Sequence, residues 1–371
     1  MDILTALKGL QGVDLGTLVG FRRELLGLDI GSSSIKLVQL KQAKGRYTLL
    51  KYAIKPLEPE VIVDGTIMDT GRVVLAIKEL LHEQNIKLKN VATSISGHSV
   101  IVKKITLPPV PDDELATQVK VAAEQYIPFD INEVNLDFHV LGPEEKGEDG
   151  QPQIPILLVA AKKDKVNELT EVVKGAGLNP VVLDVDAFAI ENMYCVNYET
   201  APDELVALVN LGASVMNINI LNGNRSVFTR DISVGGNRYT EAIQREMGVP
   251  FEEADSVKKA QGHEGSEGAI VTSIIEGVNA EVASEIAKSI DYFRTTFPEG
   301  ELKKILLSGG CAKVTGLAQQ LKDRMGIPVE LVDPFNQIDI TPAELDAEQL
   351  PEIAPLAAVS VGLALRTMGD R

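Results

Sequence analysis

Leu26-Gly27-Leu28-Asp29-Ile30-Gly31-Ser32-Ser33-Ser34-Ile35-Lys36-Leu37-Val38-Gln39-Leu40 is the stretch whose reading decides the fold. Apolar residues load the first arm, Gly31 and three serines make a tight turn, and the second arm alternates. Ile35 and Leu37 fall on one face, Lys36 and Val38 on the other, which predicts strand, turn and returning strand. Glycine lets a ligand approach the main chain closely. Successive N–H groups in such a turn form a concave anion site, and the hydroxyls of Ser32 and Ser33 add donors. Asp29, beside the turn, is placed to hold a hydrated divalent cation near phosphates, and Lys36 supplies a point charge. The alternative is an ordinary hairpin with serines as turn formers.

The pattern returns once. Val206-Ala207-Leu208-Val209-Asn210-Leu211-Gly212-Ala213-Ser214-Val215-Met216-Asn217-Ile218-Asn219-Ile220 repeats it at an offset of 181 residues. Asn210 stands for Asp29, Gly212 for Gly31 and Ser214 for Ser33. A hairpin repeated at half-chain spacing predicts two related α/β domains, each presenting a glycine turn to one cleft.

Around these hairpins the chain alternates strands and helices. Strands are expected at Tyr47 to Ile54, Val91 to Ile95, Val100 to Leu107, Val134 to Leu141, Ile156 to Ala161, Val181 to Val185 and Lys304 to Ser308. Apolar periodicity predicts helices over Thr70 to His82, Lys163 to Gly175, Ala187 to Tyr198, Arg238 to Met247 and Phe251 to Lys259, with a long helix ending at Phe297. Pro108-Pro109-Val110-Pro111 marks a boundary before an acid-started helix that Pro128 closes. Gly142 to Pro155 reads as an exposed loop, Gln261 to Gly268 as a polar one, and residues 100–180 as a small α/β unit inserted in a larger domain. Glu352 to Arg366 reads as one alanine-rich helix whose small residues suit close packing.

A net charge of −17 argues against nucleic acid and against direct attachment to anionic lipid. Cys195 and Cys311 lie far apart and the four histidines form no ligand pattern, so a disulfide framework or zinc site is not expected and a reducing cytoplasm is. The longest uncharged run, Leu205 to Asn224, carries Asn210, Asn217, Asn219 and Asn222 within it and does not suit a lipid span. A P-loop, a dinucleotide fingerprint and a G-x-S-x-G elbow are absent.

Two further glycine pairs follow, Gly235-Gly236 before a helix and Gly309-Gly310 after a strand. First hairpin, second hairpin and Ser308-Gly309-Gly310, in that order, resemble the actin/Hsp70/hexokinase nucleotide-binding fold. The 100–180 insertion resembles the extra subdomain of the cell-division actin homologue FtsA. Finer stretches are similar to PilM, the family of actin-like proteins of the type IV pilus assembly platform: Leu107-Pro108-Pro109-Val110, Glu124-Gln125-Tyr126-Ile127-Pro128-Phe129, Val234-Gly235-Gly236-Asn237 and Glu253-Ala254-Asp255 with Lys258. The likeness covers residues 26–366.

The resemblance implies an α/β, two-domain actin/Hsp70-like fold of duplicated RNase H-like domains. Residues 1–25 form a tail. Residues 26–99, continued by 181–200 and 352–371, form the first domain. The insert is 100–180, the second domain 201–235 and 299–351, and its helical subdomain 236–298. It also implies ATP or ADP with Mg²⁺ as cofactors, Asp29 holding the metal through water. Asp29, Gly31, Ser32, Ser33 and Lys36 match the first phosphate motif, and Asn210, Gly212 and Ser214 the second. Gly235 and Gly236 match the turn before the helical lobe, Asp255 and Lys258 the groups that reach the ribose, and Gly309, Gly310 and Lys313 the adenosine loop. Asp184 sits where polymerising relatives keep the group that orients the attacking water. Relatives usually carry Asp where Asn210 stands, so binding is expected more than efficient hydrolysis. The partner implied is the cytoplasmic N-terminal peptide of a PilN-like inner-membrane protein, in a groove between the first domain and the insert, alongside other platform components, motor ATPases and self-association. Two other readings are a division anchor like FtsA, which the C-terminus does not suit for lack of a basic amphipathic helix, and a small-molecule kinase of the same fold.

Overall fold

The computed structural model describes residues 24–147, 150–260, 265–297, 300–343, 345–346 and 348–369. The sequence reading of 1–25 as a tail lies outside the described residues up to 23. Glu24 already bridges to Thr367, and Leu25 is fully buried.

The opening stretch forms β1 (Leu26–Ile30) and β2 (Ser34–Ala43), antiparallel, with Asp29 opposite Lys36. After β3 (Arg46–Pro56) come the short pair β4 (Ile62–Val63) and β5 (Thr66–Ile67), then helix α1 (Thr70–Glu83) and β6 (Asn90–Ile95). Asp69 caps α1 by accepting from the Arg72 N–H at 3.0 Å. The insert follows: β7 (Val100–Leu107), α2 (Asp112–Ala123), β8 (Val134–Val140), β9 (Glu145–Lys146) and β10 (Pro152–Lys162). The chain returns through α3 (Lys163–Gly175), β11 (Asn179–Val185) and α4 (Asp186–Asn197). The second half holds β12 (Leu205–Leu211), β13 (Met216–Asn222), β14 (Arg225–Ile232), α5 (Asn237–Met247), α6 (Phe251–Lys259) and the long α7 (Gly265–Thr296). It closes with β15 (Leu302–Ser308), α8 (Leu317–Met325), β16 (Val329–Leu331), β17 (Ile338–Asp339), α9 (Leu350–Ile353) and α10 (Ala358–Ala364).

Two large mixed sheets result, in strand order β11-β6-β1-β2-β3-β17 and β14-β13-β12-β15-β16. Their central strands are buried on both faces, which is why they read as nearly continuous apolar runs. In β12, Leu205, Ala207, Val209 and Leu211 face α5, α7 and α8, while Val206 and Leu208 face the other way. Between the two sheets lie α4 and α10, whose apolar residues share one core with Val38, Leu40, Val206 and Leu208. The outer face of the first sheet packs on α1 and α3.

Three expectations change. The strand expected to begin at Ile156 starts at Pro152, because Ile154 pairs with Leu107 and Gln153 with Glu145; the proline-rich composition had disguised pairing made at long range. The insert's own core runs from Ile105 to Ala160, whereas Val172, Val173 and Leu178, inside the 100–180 unit of the sequence reading, are buried in the first-sheet core. The C-terminal segment is two short helices, α9 and α10, joined by a 3-10 turn at Pro355–Ala357 rather than one helix.

Candidate functional site

The two hairpin turns close in the same way. Gly31 donates its N–H to Ser34 O at 3.1 Å, and Gly212 donates to Val215 O at 3.0 Å, so the 181-residue repeat extends to the hydrogen bond. Both turns line one cleft of about 980 Å³ between the sheets. Its wall also carries Ser32, Ser33 and Ser214, the β15 loop with Gly309, Gly310 and Lys313, and Asp255 and Lys258 from α6.

The walls differ in charge. On the first, Lys36 Nζ lies 3.2 Å from Asp29 Oδ2, with both side chains largely buried. On the second, the repeat places Asn210 and Asn217 at those positions, and Asn210 Nδ2 donates to Asn217 Oδ1 at 3.0 Å. An ion pair in one half is an amide pair in the other. Asn217 was missed in the sequence, although the 181-residue offset that matched Asn210 to Asp29 also matches it to Lys36.

Gly235 and Gly236 are not on the cleft wall. They lie behind the second turn, where Gly236 N–H donates to Gly212 O at 2.9 Å and Asn237 N–H to Ala213 O at 2.8 Å. A Cβ on Gly236 would sit 2.0 Å from Cys311 Sγ, and one on Gly235 2.6 Å from Gly212 O. Both are needed for close packing that fixes the turn.

On α6, Asp255 accepts from Lys258 and Lys259, each at 2.5 Å, and Lys258 also donates to Thr240 Oγ1 at 2.8 Å. Burial works against the Asp255 charge, but these two ammonium groups outweigh it and hold the carboxyl below its usual range. The β15 loop is tied to the C-terminal segment by the Lys313–Glu352 ion pair and by the Gly309 N–H donating to Pro355 O at 2.8 Å.

Asp184 does not reach the cleft. It is buried at the end of β11, where Oδ2 accepts from Arg366 Nη1 at 2.6 Å and Oδ1 from the Val185 N–H at 2.8 Å. Of the acids at this strand-to-helix junction it is Asp186, in the first turn of α4, that lines the cleft. Burial raises it to about 6, the nearby Asp29 charge pushes the same way, and hydrogen bonds with Ser94 and Ser96 oppose both. Sequence spacing did not separate the two acids, because the chain turns from strand to helix between them.

Raised carboxyls of this kind destabilise the folded chain at neutral pH. Between its usual 3.8 and about 6, Asp186 is protonated when folded and ionised when unfolded. Its contribution therefore falls as pH rises through that window and stays unfavourable above it. Glu191, raised by burial to about 7 in the seam between α4 and β14, acts in the same sense. Asp186→Asn is expected to stabilise the chain by about 3 kcal/mol at pH 8 and to flatten its stability between pH 4 and 6, read by urea unfolding across pH. An unchanged slope would show that Asp186 is not buried as a charge.

Among the described residues no group of three His, Cys, Asp or Glu side chains is placed to hold a metal ion. Asp29 fits one carboxylate of a hydrated cation borne mainly by phosphate oxygens. The glycine cradles, Lys36 and the serine hydroxyls fit the phosphates themselves.

A profile of the family described as type IV pilus assembly protein PilM matches residues 27–368. This chain belongs to the PilM family. A solved PilM–PilN type IV pilus biogenesis complex is similar at 33% identity and a TM-score of 0.82, covering 94% of this chain and 100% of that one. More distant structures share the fold alone. The ethanolamine utilization protein EutJ from Carboxydothermus hydrogenoformans matches at 18% identity and a TM-score of 0.56, over 92% of this chain and 89% of its own. MreB5 of Spiroplasma citri bound to ADP matches at 11% and 0.52, over 92% and 94%. The actin-like fold that the resemblance implied is thus the fold found. No helix among the described residues is long and apolar enough to cross a membrane.

Proposed function

We propose that the cleft binds ATP or ADP with Mg²⁺ and that the chain is a nucleotide-responsive scaffold of the type IV pilus, or related type II secretion, inner-membrane assembly platform. The observation that carries nucleotide is the pair of identically closed glycine turns on opposite walls of one cleft. Lys36 and the Gly31 and Gly212 turns take the phosphates, Asp29 takes the metal through water, and the Gly309-Gly310 loop with Asp255 and Lys258 takes the nucleoside. Bound Mg²⁺ neutralises phosphate charge. Asp186, not Asp184, faces the space where a water would be oriented. Asn210 is committed to Asn217 and to Ser308, whose Oγ donates to its Oδ1 at 3.2 Å, so the second hairpin offers an amide where the first offers the Asp29 carboxylate, and hydrolysis is slow.

PilM family membership and the likeness to the PilM–PilN complex support a PilN-like inner-membrane protein as partner, bound by its cytoplasmic N-terminal peptide and holding this chain at the membrane. Its seat is the seam between the insert and the first domain, where Val100, Val102 and Val159 meet Val185, Ala187 and Phe188. The same likeness sets the division-anchor and kinase readings aside.

Calorimetry on the full chain tests this. MgATP and a synthetic peptide of the PilN-like N-terminal segment are each expected to bind one site. Absence of MgATP binding would remove the nucleotide reading, and absence of peptide binding the partner reading.

A further inference from the structure

A row of polar side chains crosses the second sheet. Asp231, Asn217, Asn210 and Ser308 stand on the neighbouring strands β14, β13, β12 and β15 and are register partners in turn. Asn217 Nδ2 donates to Asp231 Oδ1 at 2.8 Å, Asn210 Nδ2 to Asn217 Oδ1 at 3.0 Å, and Ser308 Oγ to Asn210 Oδ1 at 3.2 Å. The direction follows from one end. An ionised carboxylate only accepts, so Asn217 must turn its amino group to Asp231 and its carbonyl to Asn210. Asn210 must then give its amino group to Asn217 and its carbonyl to Ser308. A carboxylate at position 210 would leave two acceptors face to face. The row therefore explains the amide at 210 without reference to catalysis.

The two ends of the row belong to different parts of the molecule. Ser308 leads into Gly309, the start of the nucleoside loop. Asp231 Oδ2 accepts the N–H of Gly97 at 2.5 Å, across from the other domain. Gly97 adopts a φ of +80° at the point where β6 gives way to the insert. Beside it His98 Nε2 lies 2.7 Å from Ser233 Oγ, and Arg225 Nη1 donates to Leu141 O at the far end of β8 at 3.2 Å. The root of the insert thus rests on β14, and β14 is joined to the cleft by the row.

We propose that Asp231 is a positioning residue that couples occupancy of the nucleoside loop to the stance of the insert, through Asn217, Asn210 and Ser308 on one side and the Gly97 amide on the other. This rests on the reading of the cleft as a nucleotide site and of the insert as part of the peptide seat. A ligand at one end favours the arrangement that satisfies the row, and linkage makes the effect reciprocal.

The readout is the ratio of peptide Kd without and with MgATP, measured by calorimetry on the full chain. In the wild type it is expected to depart from one by about fivefold or more. In Asp231→Ala it collapses to within about twofold of one, while each ligand alone binds within about threefold of wild type. Asp231→Asn restores most of the ratio, because an amide there still accepts from Gly97 and each amide of the row turns over, ending with Asn210 donating to the Ser308 hydroxyl. A merely structural role would move both affinities and leave the ratio alone. An Asp231→Ala protein that keeps the wild-type ratio overturns the proposal, and so does a wild-type ratio of one. Failure of the wild type to bind MgATP, or to bind the peptide, removes instead the reading on which it rests. Amide hydrogen exchange of the wild type gives a second measurement that needs no variant. Exchange at residues 97–99 is expected to slow on adding MgATP, and unchanged exchange there counts against the row.

Discussion

The combined Lys36→Ala, Gly212→Asp variant is expected to lose more than about 100-fold in ATP affinity by calorimetry. Lys36 is the cation of the first wall, and a hydrogen bond from a charged donor contributes about 1.5–3 kcal/mol. Removing it also leaves the Asp29 carboxylate, 3.2 Å away, uncompensated against the phosphates. On the second wall a side chain at position 212 would begin 2.8 Å from Val215 O, the acceptor that closes the turn. It would also bring a carboxylate toward the phosphates, where like charges about 4 Å apart repel by roughly 4 kcal/mol in a partly screened cleft. These terms together exceed the roughly 3 kcal/mol that a 100-fold loss requires. Retention of affinity within about threefold, in a variant whose thermal unfolding shows a folded chain, would move the phosphate site elsewhere.

Gly362→Ala is expected to destabilise the chain by about 3 kcal/mol or more, read as a fall in the urea midpoint. Helix propensity alone predicts the opposite sign, a gain of about 1 kcal/mol for alanine in a helix interior. Packing decides against it. A Cβ at Gly362 would lie 1.7 Å from Ala189 O and 2.4 Å from the Ala189 carbonyl carbon, and backbone cannot step aside as a rotamer can. The opposite side of α10 is pinned in the same way, since a Cβ on Gly27 in β1 would sit 2.1 Å from Ser360 O. With α10 held between β1 and α4, relief requires parting the core shared by both sheets. A midpoint that stays or rises would mean that the two helices have room the packing does not show.

The doubled hairpin was legible because its information is local. A strand, a glycine turn and a returning strand lie within fifteen residues, and the same residue types recur at one offset. The small residues at the C-terminus were read correctly as close-packing surface for a similar reason. The break at Pro355 is also local, since proline has no N–H to continue the helical hydrogen bonds, although the alanine-rich composition around it favours one helix.

The sequence by itself determined two related α/β halves and their glycine turns, because turn chemistry and apolar periodicity are written in neighbouring residues, and its resemblance to a known family implied the actin-like fold and the glycine-turn part of the cleft wall. The tertiary structure alone decided that Asp186 rather than Asp184 faces the cleft. At a strand-to-helix junction the side-chain period changes from 2 to 3.6, and spacing no longer tells which acid points inward. It alone also showed Asp231, Asn217, Asn210 and Ser308 as one row ending on Gly97. These residues come from four strands and meet only through register, a long-range property set by how the strands pair.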